Sequence, residues 1–191
     1  MGLLEKRGAA YSVAAGLREQ ADRGPAPLWA VLALLQTLPE HLRTGESFAT
    51  DRDQRAALYA HATPGLGRMF GPAAERLARL LAPAATILDV GAGSGVWSLT
   101  MARSYPECEV TALDLEPVLG AFTEAAGGVP HRTVPGDYHQ ADPGGPFDRV
   151  LLANVLHLES PPAARALLER AASWTREGGE LVVIDTLHRD A

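Results

Sequence analysis

The sequence predicts an α/β chain, a parallel sheet with helices on both faces preceded by a mostly helical N-terminal segment. Three observations carry that expectation. From Thr86 onward, short apolar runs alternate with helical stretches. The runs are apolar throughout, as strands buried on both faces of a parallel sheet must be. The first run ends in a glycine cluster, Gly91-Ala92-Gly93-Ser94-Gly95, immediately before a helical pattern. That junction is where open α/β sheets bind their ligands. The character changes near residue 84, so 1–84 reads as the N-terminal segment and 85–191 as the sheet domain.

Within the first segment, Leu28–Leu42 places Leu28, Val31, Leu32, Leu35 and Leu38 at helical spacing, with Pro39 ending or kinking the helix. Thr44-Gly45-Glu46-Ser47 reads as a loop, and Asp51 as the N-cap of a helix reaching Tyr59. Pro72–Leu81 predicts another helix, with Leu77, Leu80 and Leu81 on one face and Pro83 as its stop. In the sheet domain, Ile87–Val90 is the first strand and Val96–Ser104 the first helix. Glu109–Leu115 is the second strand, and Glu116–Ala126 a helix closed by Gly127-Gly128. His131–Val134 and Arg149–Ala153 follow as strands, Pro162–Thr175 as a helix, and Glu180–Asp185 as the fifth strand.

Composition narrows the function. A chain of 191 residues, 47% hydrophobic and 21% charged, can bury one domain-sized core with a short companion segment. No run approaches the roughly 20 apolar residues of a membrane span, and Met1-Gly2-Leu3-Leu4 meets charge at once in Glu5-Lys6-Arg7, unlike a signal peptide. A cytoplasmic protein without membrane contact is expected. The single cysteine, Cys108, excludes an internal disulfide and a cysteine-based zinc site, and reads as a buried small side chain. His131 and His139 lack metal-ligand spacing, so no metal is expected. His188 reads as a surface residue. The net charge is −6; residues 85–191 hold seven Lys and Arg against fifteen Asp and Glu. Such a surface does not attract nucleic acid.

The glycine loop discriminates among ligands. A dinucleotide fingerprint requires glycine where Val96 stands, and the G-K-[S/T] ending of a phosphate loop is absent. Asp89, just ahead of the glycines, would set negative charge beside a pyrophosphate, whereas it suits an ammonium or a sulfonium. In these features Leu88–Gly95 resembles motif I of the class I S-adenosylmethionine-dependent methyltransferases. Asp114 in Val110–Leu115, Gly136-Asp137-Tyr138, and Asn154 with His157 in Leu151–His157 agree with that family in order and spacing.

The resemblance implies a Rossmann-like sheet of order 3-2-1-4-5 and S-adenosyl-L-methionine as cofactor. It places Asp89, Gly91, Ala92, Gly93 and Gly95 around the cofactor at the glycine loop. Asp114, with Leu115 beside it, would accept hydrogen bonds from both ribose hydroxyls, a task a carboxylate suits because a vicinal diol offers two donors. Asp137 would accept from the adenine amino group, Tyr138 would pack on the ring, and Asn154 and His157 would lie near the methyl-donor end.

Asn154–Leu158, Ala163–Trp174 and Arg176–Asp185 further resemble bacterial small-molecule O-methyltransferases of the winged-helix dimer type. That resemblance implies O-methylation of a small aromatic or polyketide-like acceptor, with His157 as general base. Ionising a phenol of pKa near 10 at pH 7 costs about 4 kcal/mol, which a neighbouring imidazole can relieve. The motif departs from the family after the histidine, where Leu158-Glu159-Ser160 stands in place of Asp or Trp-Asp, leaving the partner of His157 open. Methylation at carbon or nitrogen, non-methylating use of the cofactor, and a non-catalytic interaction module are the alternatives. A winged-helix DNA binder is disfavoured by the charge.

Gly2–Val13 resembles the wing hairpin of that family's dimerisation domain, and Leu28–Ser47 its linker helix. The family continues with two further strands and a helix after the fifth strand. On that comparison Leu181–Ile184 is expected at a sheet edge, and an uncovered apolar edge invites pairing. A homodimer, or a partner chain supplying the missing strands, is expected.

Overall fold

The computed structural model describes residues 4–7, 10–13, 43, 67 and 69–186. The helices expected over Leu28–Leu42 and from Asp51 to Tyr59, and His188, lie outside the described residues. Strands β1 (Leu4–Arg7) and β2 (Ala10–Val13) pair antiparallel, with Leu4 opposite Val13 and Arg7 opposite Ala10.

Residues 69–78 are helical (α1). Ala74 and Ala78 are buried, with Phe70, Leu77 and Leu81 packed on the same core. Leu80, expected on that face, is instead 73% exposed. The helix gives way to a turn in which Leu80 N–H donates to the Leu77 carbonyl at 2.9 Å, and the turn rotates Leu80 outward.

The sheet contains β3 (Thr86–Val90), β4 (Glu109–Asp114), β5 (His131–Pro135), β6 (Phe147–Ala153) and β7 (Thr175–Ile184). All neighbours are parallel, in the order β5-β4-β3-β6-β7, as expected. Helices α2 (Val96–Arg103), α3 (Glu116–Ala126) and α4 (Pro161–Trp174) connect β3 to β4, β4 to β5 and β6 to β7. Proline in the first turn and Gly127 at the C-cap bound α3 where the sequence sets its limits.

Successive side chains on a strand point to opposite faces, and β3 divides the core accordingly. Ile87 joins Val110, Ala112 and Leu151 with Leu99 of α2 and Phe122 of α3. Leu88 and Val90 join Leu113, Val150 and Leu152 with Leu167, Ala171 and Trp174 of α4. Asp89 shares the Ile87 face and therefore meets α2.

A charge is buried on that face as well. Arg149 on β6 is 1% exposed; its guanidinium pairs with Glu180 of β7 and donates to the Ala82 carbonyl at 2.7 Å. This pair ties the entry to β3 and strand β7 to the middle of the sheet. Among the described residues, strand β7 lies at the edge of the sheet, where Leu181, Val182 and Ile184 are half-buried and Val183 is 43% exposed.

Candidate functional site

The carboxyl ends of β3 and β4 form the base of the site. Gly91 and Ala92 donate to the Leu113 carbonyl at 2.8 and 3.3 Å, pinning the glycine loop across the end of β4. Gly91 and Gly93 adopt φ of 68° and 56°, left-handed values that side chains resist. A Cβ on Gly91 would also lie 2.7 Å from Cγ2 of the buried Val155.

Asp114, at the end of β4, completes the loop. Its carboxylate accepts from the Gly93 N–H at 2.8 Å and from the Leu115 N–H at 2.7 Å. Each oxygen keeps further acceptor capacity for a ligand. Burial raises the Asp114 pKa, and these two N–H donors oppose the rise.

A cavity of about 260 Å3 opens above these strand ends, close to the lower bound of about 300 Å3 for small-molecule sites. Asp89, Gly91, Ala92, Gly93, Asp114, Leu115, Asp137, Tyr138 and Asn154 all line it, so the structure brings nearly the whole expected cofactor set together. Phe70, Trp97, Val155 and Leu158 supply apolar wall.

Gly95 is the exception. It does not line this cavity; it caps α2 with φ 67°, and a Cβ there would lie 2.5 Å from Cε2 of Phe122 and 2.8 Å from Cδ1 of Leu99. The absence of a side chain there lets α2 and α3 pack closely. Gly95→Ala is expected to cost about 2–4 kcal/mol, combining left-handed strain with overpacking against a fully buried ring. Thermal denaturation checks this as a Tm several degrees below the parent.

Asp89 is 2% exposed and lines the cavity. Ser98, one helical turn into α2, donates to its Oδ2 at 2.5 Å. No other described residue donates to this carboxylate, so its second oxygen is left for a ligand. Burial pushes its pKa up to about 7; the Ser98 hydroxyl restrains the rise and the Asp114 charge adds to it. A buried carboxylate with a spare acceptor is a site for a cation.

The loop after β5 forms the opposite wall. Asp137 folds it by accepting the His139 N–H at Oδ1, 2.8 Å, while its carbonyl takes the N–H groups of Gln140 and Ala141. Tyr138 donates its hydroxyl to Glu159 Oε1 at 2.6 Å, and His139 Nε2 lies 3.2 Å from Glu159 Oε2. His139 and Glu159 line the cavity, and sequence reasoning assigns neither to it. The departure from the family motif at Leu158-Glu159-Ser160 is the one signal pointing there.

At the end of β6, Asn154 holds φ 57°, a left-handed conformation that asparagine tolerates, while its N–H donates to the Ile184 carbonyl at 2.7 Å. The short 3-10 turn Leu156–Leu158 follows. His157 does not line the cavity; its side chain is 42% exposed beside it in sequence, between the lining residues Val155 and Leu158.

Asp185, directly after β7, supplies the partner the sequence leaves open. Its Oδ1 lies 2.7 Å from His157 Nδ1, and its Oδ2 accepts the Leu156 N–H at 2.8 Å and the His157 N–H at 3.3 Å. Burial works to raise the Asp185 pKa, but the Thr186 N–H and the ring and N–H of His157 outweigh it, and the value falls below the usual carboxylate range. His131 has a packing role, with Nδ1 2.8 Å from the Val129 carbonyl and its ring against Phe122. Among the described residues no group of three or more His, Cys, Asp or Glu is placed to hold a metal ion, and no helix is long and apolar enough to cross a membrane.

Comparison with known proteins agrees with this geometry. Residues 87–179 match a family model described as a methyltransferase domain. The chain is 35% identical over 108 residues to ribosomal RNA small subunit methyltransferase C of Pseudomonas fluorescens, covering 53% of this chain and 32% of that protein. It is 30% identical over 109 residues to L-tyrosine C(3)-methyltransferase of Streptomyces lavendulae (54% and 30% covered). Acetylserotonin O-methyltransferase of Mus musculus is 32% identical over 115 residues (56% and 30% covered). The chain thus spans about a third of the length of these relatives.

Among solved structures, an O-methyltransferase family 2 protein of Planctomyces limnophilus, in complex with apigenin, superposes with TM-score 0.62 at 26% identity, covering 97% of this chain and 60% of that one. NcsB1, an O-methyltransferase from neocarzinostatin biosynthesis, superposes with TM-score 0.67 at 22% identity, covering 95% and 63%. That structure holds S-adenosyl-L-homocysteine and 1,4-dihydroxy-2-naphthoic acid.

Proposed function

We propose that this chain, whose residues 87–179 match a methyltransferase domain, is a class I S-adenosylmethionine-dependent methyltransferase that methylates a hydroxyl group of a small aromatic metabolite. S-adenosyl-L-methionine fits the residues present: beside the left-handed Gly91–Gly93 turn, Asp89 keeps a buried acceptor for a cationic group. When bound, the sulfonium supplies an electrophilic methyl group.

The protein's own contribution is to bind, orient and move a proton. Asp114 would accept the ribose hydroxyls on the lone pairs that Gly93 and Leu115 leave free. Asp137 and Tyr138 would hold the base, and Asp89 the charged end of the amino-acid portion. His157 would take the acceptor's proton. Asp185 fixes Nδ1 of its ring and would stabilise the imidazolium, leaving Nε2 as the basic atom.

The His157–Asp185 pair is the observation that carries the hydroxyl-methylating reading. With a phenolic acceptor, His157→Ala is expected to lower kcat about 100- to 1,000-fold, with the KM for S-adenosyl-L-methionine unchanged. Asp185→Asn should produce a smaller loss. Unchanged turnover in His157→Ala would remove the base from the mechanism. Methylation of a ring carbon is the second reading, favoured by the match to L-tyrosine C(3)-methyltransferase; NMR of the product separates an aryl methyl ether from a C-methyl arene.

A further inference from the structure

Three side chains on the cavity wall have no place in the proton transfer: Tyr138, His139 and Glu159. They come from loops that leave β5 and β6, strands separated in the sheet by β4 and β3. The glycine loop and Asp114, at the ends of β3 and β4, lie between those two loops. Glu159 is where the loops meet. Its side chain is 13% exposed, with the Tyr138 hydroxyl on one oxygen and the His139 ring on the other.

The rest of this corner is fixed in place. The Tyr138 and His139 rings meet edge to face at 4.8 Å between centroids. Arg170 of α4 donates to the carbonyls of Tyr138 and Ala141 at 3.2 and 2.7 Å. Glu159 directly precedes Ser160, the N-cap of α4, so the helix that holds the backbone of the β5 loop also positions the carboxylate that holds its side chains.

We infer that Glu159 is a positioning residue for the base of the cofactor, holding the Tyr138 ring in its binding orientation and strapping the two lips of the cavity together. The inference rests on the cofactor reading above. The Tyr138 hydroxyl, donated to Oε1, satisfies one oxygen of a carboxylate that lines the same cavity as Asp114 and Asp137. A wall ordered before the ligand arrives is not ordered at the expense of binding.

Calorimetric titration with S-adenosyl-L-homocysteine tests it, with melting curves to verify that each variant folds. Glu159→Ala is expected to bind about tenfold more weakly than the parent, the scale of losing preorganised side chains at a binding wall. Glu159→Gln, whose amide oxygen still accepts the Tyr138 hydroxyl, should stay within about threefold of the parent. Tyr138→Phe should weaken binding by no more than Glu159→Ala, which also releases His139, and the Glu159→Ala/Tyr138→Phe double variant should be no weaker than Glu159→Ala, because both substitutions remove the Tyr138–Glu159 hydrogen bond. If Glu159→Ala does not fold, Tyr138→Phe beside Glu159→Gln gives the same comparison: a loss in the first and retention in the second support the strap.

Parent-like affinity in Glu159→Ala, additive losses in the double variant, or equal losses in Glu159→Gln and Glu159→Ala would overturn the inference. Asp114→Ala separates the two levels. Where the parent binds, Asp114→Ala does not, and Glu159→Ala binds like the parent, the cofactor reading stands and the strap falls. A parent that takes up no ligand overturns both.

Discussion

Asp114→Ala is expected to weaken binding of S-adenosyl ligands by two orders of magnitude or more. The carboxylate has two roles that a methyl group cannot fill. It would accept the vicinal hydroxyls of the ribose, and charge-assisted hydrogen bonds of that kind are worth about 1.5–3 kcal/mol each. Two of them lost amount to about 3–6 kcal/mol, or roughly 100- to 10,000-fold in Kd. It also holds the glycine loop, through the Gly93 N–H at 2.8 Å, so the truncated site loses order as well as contacts. Asp114→Asn keeps one acceptor oxygen and should lie between parent and alanine variant. Calorimetry reads the ranking, and an alanine variant with parental affinity would remove the ribose clasp from this site.

The second large effect is one of stability, with opposite consequences for folding and for binding. Asp89 has its pKa pushed from 3.8 to about 7 by burial. A carboxyl whose folded pKa is raised binds its proton more tightly when folded, so between about pH 4 and 7 the folded state carries a proton that the unfolded chain has released. Stability therefore declines as pH rises through that window and is flat above it. A rise from 3.8 to about 7 corresponds to about 4 kcal/mol as an upper figure.

Asp89→Asn is expected to abolish that penalty. It should be more stable than the parent at pH 8 by up to about 4 kcal/mol, and no more stable at pH 4. Asp114, also raised, acts in the same sense, while Asp185, held low, contributes stability above its unfolded value that is lost on acidification. Both are present in parent and variant, so the difference between the two isolates Asp89. The same substitution should weaken binding of the cationic cofactor, because the amide offers no charge to the ammonium or sulfonium. Urea denaturation at several pH values checks the first effect; parallel pH profiles for parent and variant would refute it.

Much of this is legible in the sequence because its signals are local. Apolar runs bounded by glycine and proline fix the strands, and the acidic residues at successive strand ends fix the cavity. What is not legible depends on distant partners. Asp185 reaches His157 across 28 positions, Tyr138 reaches Glu159 across 21, and Arg149 reaches Glu180 across 31. Periodicity carries no trace of such pairings. Gly95 shows the converse limit, since a glycine within a ligand-binding motif also avoids a clash with Phe122 that the motif does not announce. Leu80 departs from expectation because the helical pattern continues in sequence past the point where the backbone turns.

A crystal structure of this protein grown with S-adenosyl-L-homocysteine is the decisive measurement. It should show the nucleoside across the Gly91–Gly93 turn, both ribose hydroxyls on Asp114, the purine between Asp137 and Tyr138, and the amino group directed to Asp89. Ligand density elsewhere on the sheet, or a cavity filled only by water at saturating ligand, would contradict the account.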